Sequence, residues 1–260
     1  MRQSAEIPGK DAGAEITAEE QNLLMNSSEI MVSVWKKAHG ANNGNWETTR
    51  LTENATPDLA PAVAVNGTGK AIVFWRSVYS ADPENGLMDF SAQDQIMYSV
   101  LTGDQWSEPK VLYNGANGSV KGLQAAMMGN STAIAVYTLD RTGASDGSGQ
   151  EIGYTIVKSD GSLGNSMLVT SDENLDENPQ VIAASLHTTY GDIMGADRFI
   201  WLAQPENGSS DIRLLSVDAA APCPTPSPPP VRPHQQRAGH VSGDFRFAHV
   251  GTVRPRVRAY

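Results

Sequence analysis

Thr52-Glu53-Asn54-Ala55-Thr56-Pro57-Asp58-Leu59-Ala60-Pro61-Ala62-Val63 aligns without a gap on Thr170-Ser171-Asp172-Glu173-Asn174-Leu175-Asp176-Glu177-Asn178-Pro179-Gln180-Val181, 118 positions further on. Each stretch opens on Thr, carries Asp-x-x-Pro and runs into β-rich sequence. Self-similarity at a fixed spacing is the mark of a repeat fold. A second family of segments falls between them, at Glu29–Val34, Gln95–Val100, Glu151–Ile156 and Asp211–Ser216, whose isoleucines stand 66, 56 and 60 residues apart. The offset of 118 is therefore two repeats of about 59.

A third family ends in large side chains, at Ala71–Trp75, Ala133–Tyr137 and Arg198–Leu202. A fourth follows a polar turn, at Trp46–Leu51, Trp106–Leu112 and Asn165–Val169. All are short, β-branched or aromatic, and bounded by Gly, Asn, Asp or Pro, which reads as strands and turns. Four strands per repeat fit a propeller blade, which must stack on its neighbours to bury its faces.

The expected fold is thus all-β, a partial β-propeller of about three four-stranded blades over 29–218. Blade one takes 61–65, 70–75, 95–100 and 106–112. Blade two takes 122–128, 132–138, 151–157 and 164–169. Blade three takes 179–184, 198–203 and 211–217. Residues 29–34 and 46–51 close an earlier blade. This falls short of the four blades that a ring needs. A fragment, a truncated reading frame or self-association over open blade edges would each account for it.

The flanks differ. Residues 1–28 include Thr17-Ala18-Glu19-Glu20, a capping box ahead of Leu23, Leu24 and Met25, so a short helix is expected. Residues 219–260 hold eight of the 15 prolines, six arginines and the single cysteine, Cys223, and read as a disordered Pro/Arg-rich tail or out-of-frame translation.

Composition narrows the partners. With the tail set aside, 13 basic side chains face 28 acidic ones, a balance of −15 that repels nucleic acid. No apolar run is long enough to span a membrane as a helix. One cysteine excludes an internal disulfide and a Cys-based zinc site. No signal-peptide pattern opens the chain. It is expected to be an extracellular or cell-surface piece of a longer protein, with a cytoplasmic location as the alternative.

Ser99-Val100-Leu101-Thr102-Gly103-Asp104-Gln105-Trp106-Ser107 follows the spacing of the sialidase Asp-box, Ser-x-Asp-x-Gly-x-Thr-Trp. Ser99, Gly103 and Trp106 match, while Leu101 and Gln105 stand where the family has Asp and Thr. With this box between the third and fourth strands of a blade, the chain resembles sialidase-like propeller repeats of exported bacterial proteins. The resemblance implies a structural hairpin whose Gly takes positive φ and whose Trp packs into the blade. The family's Arg-Ile-Pro signature is missing from the chain, so no catalytic residue is assigned.

Strand direction nominates one face for ligands. Asp58, Arg76, Tyr79, Asp140, Arg141 and Asp176 fall on that side, where Arg76 and Tyr79 could grip a carboxylate or stack on a sugar. The plainer role for Asp58 and Asp176 is an Asx-type cap before Pro61 and Pro179. Asp172, Glu173, Asp176 and Glu177 offer oxygen ligands to calcium, without EF-hand spacing; no other cofactor or metal is expected. Trp35, Trp46, Trp75, Trp106 and Trp201 recur at strand positions and read as blade packing. The leading expectation is a non-catalytic binding or display module whose partner is a glycan or a cell-surface protein. The alternatives are a divergent or truncated sialidase-like glycoside hydrolase drawing its acids from Asp58, Asp140 or Asp176, and a structural spacer.

Overall fold

The computed structural model describes residues 2–3, 15, 17, 19–20, 23, 26–37, 40, 43–54, 56–79, 93–114, 119–128, 132–142, 149–172, 174–182, 185–188, 191–194, 197–204 and 210–217. Over these residues the chain is all-β, and its strands pair antiparallel. The proposed tail at 219–260 and most of the long loop from Arg76 to Asp94 lie outside them.

β1 (Arg2–Gln3), β2 (Glu29–Lys36) and β3 (Asn45–Arg50) form the first sheet. β4 (Asp58–Val65), β5 (Ala71–Tyr79) and β6 (Gln93–Thr102) follow in order, with β7 (Gln105–Trp106) and β8 (Lys110–Asn114) both pairing β6. β9 (Ser119–Met128), β10 (Thr132–Asp140), β11 (Gln150–Lys158) and β12 (Leu163–Leu168) lie side by side in chain order. β13 (Leu175–Ile182) is followed by a separate hairpin of β14 (Ser185–Thr188) and β15 (Gly191–Met194). β13 itself pairs β16 (Asp197–Gln204), which pairs β17 (Asp211–Val217). The expected strands are present among the described residues, except that 106–112 is split into β7 and β8 and residues 183–184 lie outside them; the β14–β15 hairpin was not foreseen.

The second strand of each repeat is heavily buried, in the middle repeat together with the third, and its period of two sorts side chains to opposite faces. On β10, Ala133, Ala135, Tyr137 and Leu139 join a core with Phe74, Tyr98 and Leu112 of the preceding sheet. Its alternate residues, Ile134 and Val136, join Phe199, Trp201 and Ala203 of the following one. β5 divides likewise, Ile72 and Phe74 facing forward, Val73 and Trp75 facing back to Ile30. Consecutive sheets therefore share cores face to face. A fully buried side chain of this size contributes about 1.5–3 kcal/mol, so each shared core is a main source of stability. The first strands also meet, β4 against β9 and β9 against β13.

Those first strands share a backbone device. Ala60, Gly122 and Asn178 have φ of 48°, 58° and 53°. At each, the ladder with the second strand slips, between Leu59 and Ala62, opposite Val136–Thr138, and between Glu177 and Gln180. A bulge with one left-handed residue explains all three. It also corrects the expected starts at 61 and 179. The strands begin at Asp58 and Leu175 because Pro61 and Pro179 stand at the bulge, where a missing N–H is tolerated.

The box-like turn behaves as the resemblance implied at Gly103, whose φ is 61°. Leu101 pairs Trp106 and Thr102 pairs Gln105 across it. The Ser99 hydroxyl donates to the Ser107 carbonyl at 2.7 Å, and Trp106 packs beside Val73 and Trp75. At the N-terminal end the capping box closes in both directions. Thr17 N–H donates to Glu20 Oε2 at 2.8 Å, and Glu20 N–H donates to Thr17 Oγ1 at 3.2 Å. A continuous helix beyond it is not established among the described residues.

Trp35 and Trp46 depart from the packing expectation. They pair across β2 and β3 with ring centroids 5.4 Å apart, yet are 51% and 66% exposed. β3 is exposed along its whole length, so no core forms over that pair among the described residues.

Candidate functional site

The nominated residues do gather at one set of strand ends. Asp58 opens β4 opposite Ser77 near the end of β5, and Ser77 faces Gln95 near the start of β6. Asp140 ends β10 opposite Ser119 and Gln150. Tyr79 ends β5 opposite Gln93. The Val120 N–H of the third sheet donates to Asp94 Oδ2 of the second at 2.6 Å, so the ends of adjacent sheets coincide.

Within that face most of the charged candidates are committed to the scaffold. Asp58 is buried and accepts the Trp75 indole N–H at 3.0 Å; Asp176 is buried and accepts that of Trp201 at 2.9 Å. Burial pushes the Asp58 carboxyl up, while hydrogen bonds from Ser77, Thr52, Asn54 and Trp75 pull it back. The expected Asx caps are real but sit four residues earlier. Asn54 Oδ1 accepts Thr56 N–H at 2.6 Å, and Asp172 Oδ1 accepts Asn174 N–H at 2.9 Å. In the middle repeat Val120 and Tyr137 occupy the Asp and Trp positions, so acid and indole change together.

Arg76 does not reach out for a ligand. Its Nε donates to Asp94 at 2.7 Å, and Asp94 is wholly buried. Burial raises the Asp94 carboxyl, and the Arg76 charge opposes that rise. Asp140 is likewise held, its Oδ2 2.6 Å from Lys121 Nζ.

Arg141 lines an open cleft among the described residues. The cleft has a volume of about 260 Å³ and is walled by Tyr113, Tyr137, Gly153, Ser166 and Met167. Tyr113 of β8 and Tyr137 of β10 stand 5.6 Å apart, centroid to centroid, and join the two sheets. The Tyr137 hydroxyl bonds Thr155 Oγ1 at 3.1 Å, and Thr155 bonds Ser166 at 2.8 Å. Burial raises the Tyr137 phenol, keeping it neutral. Gly153 makes room for the ring, since a Cβ there would stand 2.6 Å from Tyr137 Cε2. Tyr113 was missed by sequence, since an aromatic ending a fourth strand reads as packing.

A second feature lies where the third sheet meets the fourth. One carboxylate oxygen from each of Glu151, Asp172 and Asp176 lies within 4.8 Å of the others. Of the four acids expected to offer calcium ligands, Glu173 lies outside the described residues, and Glu177 pairs Leu202 as Asp176's neighbour in β13. Adjacent strand residues point to opposite faces, which takes Glu177 away from the group. Glu151 enters instead, from the third strand of the preceding repeat.

Comparison with known proteins finds no matching family model and no matching curated sequence.

Proposed function

We propose that the chain is a non-catalytic binding or display module, with its sheets as blades of a sialidase-like β-propeller from an exported bacterial protein. The meeting of β4, β9 and β13 supports the blade arrangement, because first strands line the axis of a propeller. The ligand is a glycan at the Tyr113–Arg141 cleft. That cleft is the observation that carries the reading: a half-buried Tyr113 ring backed by Tyr137, and one exposed guanidinium at the strand ends. A sugar's apolar face stacks on tyrosine, and Arg141 meets a hydroxyl or carboxylate. The cleft is smaller than the roughly 300–1,000 Å³ of pockets for larger ligands, so it takes a single ring of a longer chain.

Hydrolysis is disfavoured by the engagement of the acids. Most glycoside hydrolases need two carboxyl groups flanking the scissile bond, and sialidases still need an acid/base carboxyl beside their tyrosine nucleophile. Asp58 and Asp176 hold indole N–H groups, and Asp140 holds Lys121. Calorimetry with ligands picked from an array of neutral and acidic glycans tests the reading. Binding lost in both Tyr113→Ala and Arg141→Ala, without glycoside turnover, is expected. Binding unchanged in both variants, or turnover abolished by Asp140→Asn, would overturn it.

A further inference from the structure

We propose that Glu151, Asp172 and Asp176 form a calcium site that ties the third sheet to the fourth. Glu151 and Asp176 are 3% and 0% exposed; the Thr170 hydroxyl lies beside both carboxyls but has one proton to give, and Glu151 Oε2 and Asp176 Oδ2 are buried without a hydrogen bond of their own. Buried carboxylate oxygens without partners are costly, and three carboxylates this close repel one another. A hard cation with oxygen ligands removes both penalties. Asp172 lies at the rim, its side chain 43% exposed, and leaves the site open to solvent.

The chain contains its own control. Glu29, Asn54 and Asp58 are the equivalents of Glu151, Asp172 and Asp176, two sheet junctions earlier. There Arg50 Nη2 stands 3.2 Å from Glu29 Oε1, and the Asn54 N–H donates to the same oxygen at 2.9 Å. Asn54 Nδ2 donates to Asp58 Oδ2 at 3.1 Å. Glu29 Oε2 is without a partner there too, but Arg50 balances its charge. In the later copy Leu168 stands at the Arg50 position and Asp172 at the Asn54 position. The cation and the side-chain donor are gone, and a third acid is gained. Arg213 approaches only the outer acid, 3.9 Å from Asp172 Oδ2. The middle junction has Gln95 and Val120 at the Glu and Asp positions, and the carboxylate beside them, Asp94, is paired with Arg76 at 2.7 Å and takes the Val120 N–H at 2.6 Å.

Three carboxylate oxygens within 4.8 Å of one another suit calcium's flexible, irregular coordination, whereas magnesium demands a strict octahedron and keeps most of its waters.

The test is calcium titration of the chelator-treated chain, followed by calorimetry and thermal melting, with Asp172→Asn beside it. That variant restores the arrangement of Asn54, so it folds, and it melts no lower than wild type without calcium. Wild type is expected to gain thermal stability with calcium and less with magnesium. Affinity in Asp172→Asn is expected to fall about tenfold or more, as losing a ligand costs at least what losing its support does. An equal calcium response in the two proteins, or none in wild type up to roughly 10 mM, well above the weak sites of extracellular modules, would overturn the proposal.

Discussion

Trp75 donates its indole N–H to Asp58 at 3.0 Å, from the second strand of a repeat to its first. The same bond recurs between Trp201 and Asp176. An acid and an indole that repeat together serve the scaffold, since each satisfies the other where water is excluded. Asp58→Ala is expected to cost about 1–3 kcal/mol by leaving the indole N–H unpaired. In that background Trp75→Phe should cost less than it does alone. A double-mutant cycle by denaturant unfolding checks the coupling.

The three bulges predict opposite responses to the same kind of change. Ala60 carries a Cβ at a φ of 48°, so Ala60→Gly should stabilise by about 0.5–1 kcal/mol, strain relief exceeding the entropy of the added glycine. Gly122→Ala should destabilise by about 1–3 kcal/mol, because the new Cβ also comes within 3.1 Å of Pro179 Cδ. Melting temperatures of the two variants should move in opposite directions.

Acid should help this fold before it harms it. Burial raises the carboxyls of Asp58 and Asp94 above their ordinary value of 3.8. A raised folded-state value means stability is greatest below the unfolded value and is lost as pH rises through the folded one. Their contribution therefore grows as pH is lowered from 7 toward 3.8. Asp58→Asn should flatten the dependence, since the amide cannot ionise and its oxygen still accepts the indole N–H. Unfolding free energies at pH 5 and pH 7 for both proteins check this.

Gly153 predicts a joint loss of stability and binding. A methyl group there collides with Tyr137 at 2.6 Å and must displace a ring that packs on Tyr113. Gly153→Ala should cost about 1–3 kcal/mol by overpacking and distort the cleft. Thermal melting and glycan binding measured on the same sample should both fall.

The strand pattern was legible in the sequence because β-branched and aromatic runs recur between turn residues. What escaped was whatever depends on partners from other strands. Asp58 and Asp176 stood out through Asp-x-x-Pro, but their indole partners lie 17 and 25 residues away. Glu151 joins the acidic group only because a third strand comes beside the next repeat's first. The Asx turns were assigned to the wrong residues, since Asn54 and Asp58 are both turn-competent types. Trp35 and Trp46 read as core because composition cannot tell an edge strand from a covered one. Tyr113 needed the neighbouring sheet's Tyr137 to become part of a cleft.

The central claim is that repeats near 59 residues long fold as sheets stacked face to face, with second strands sandwiched and fourth strands outside. Amide hydrogen exchange read strand by strand tests it most directly. Slow exchange in β5, β10 and β16, with much faster exchange in β3 and β12, is predicted. Equal protection across all strands, or the slowest exchange in β3 and β12, would contradict it.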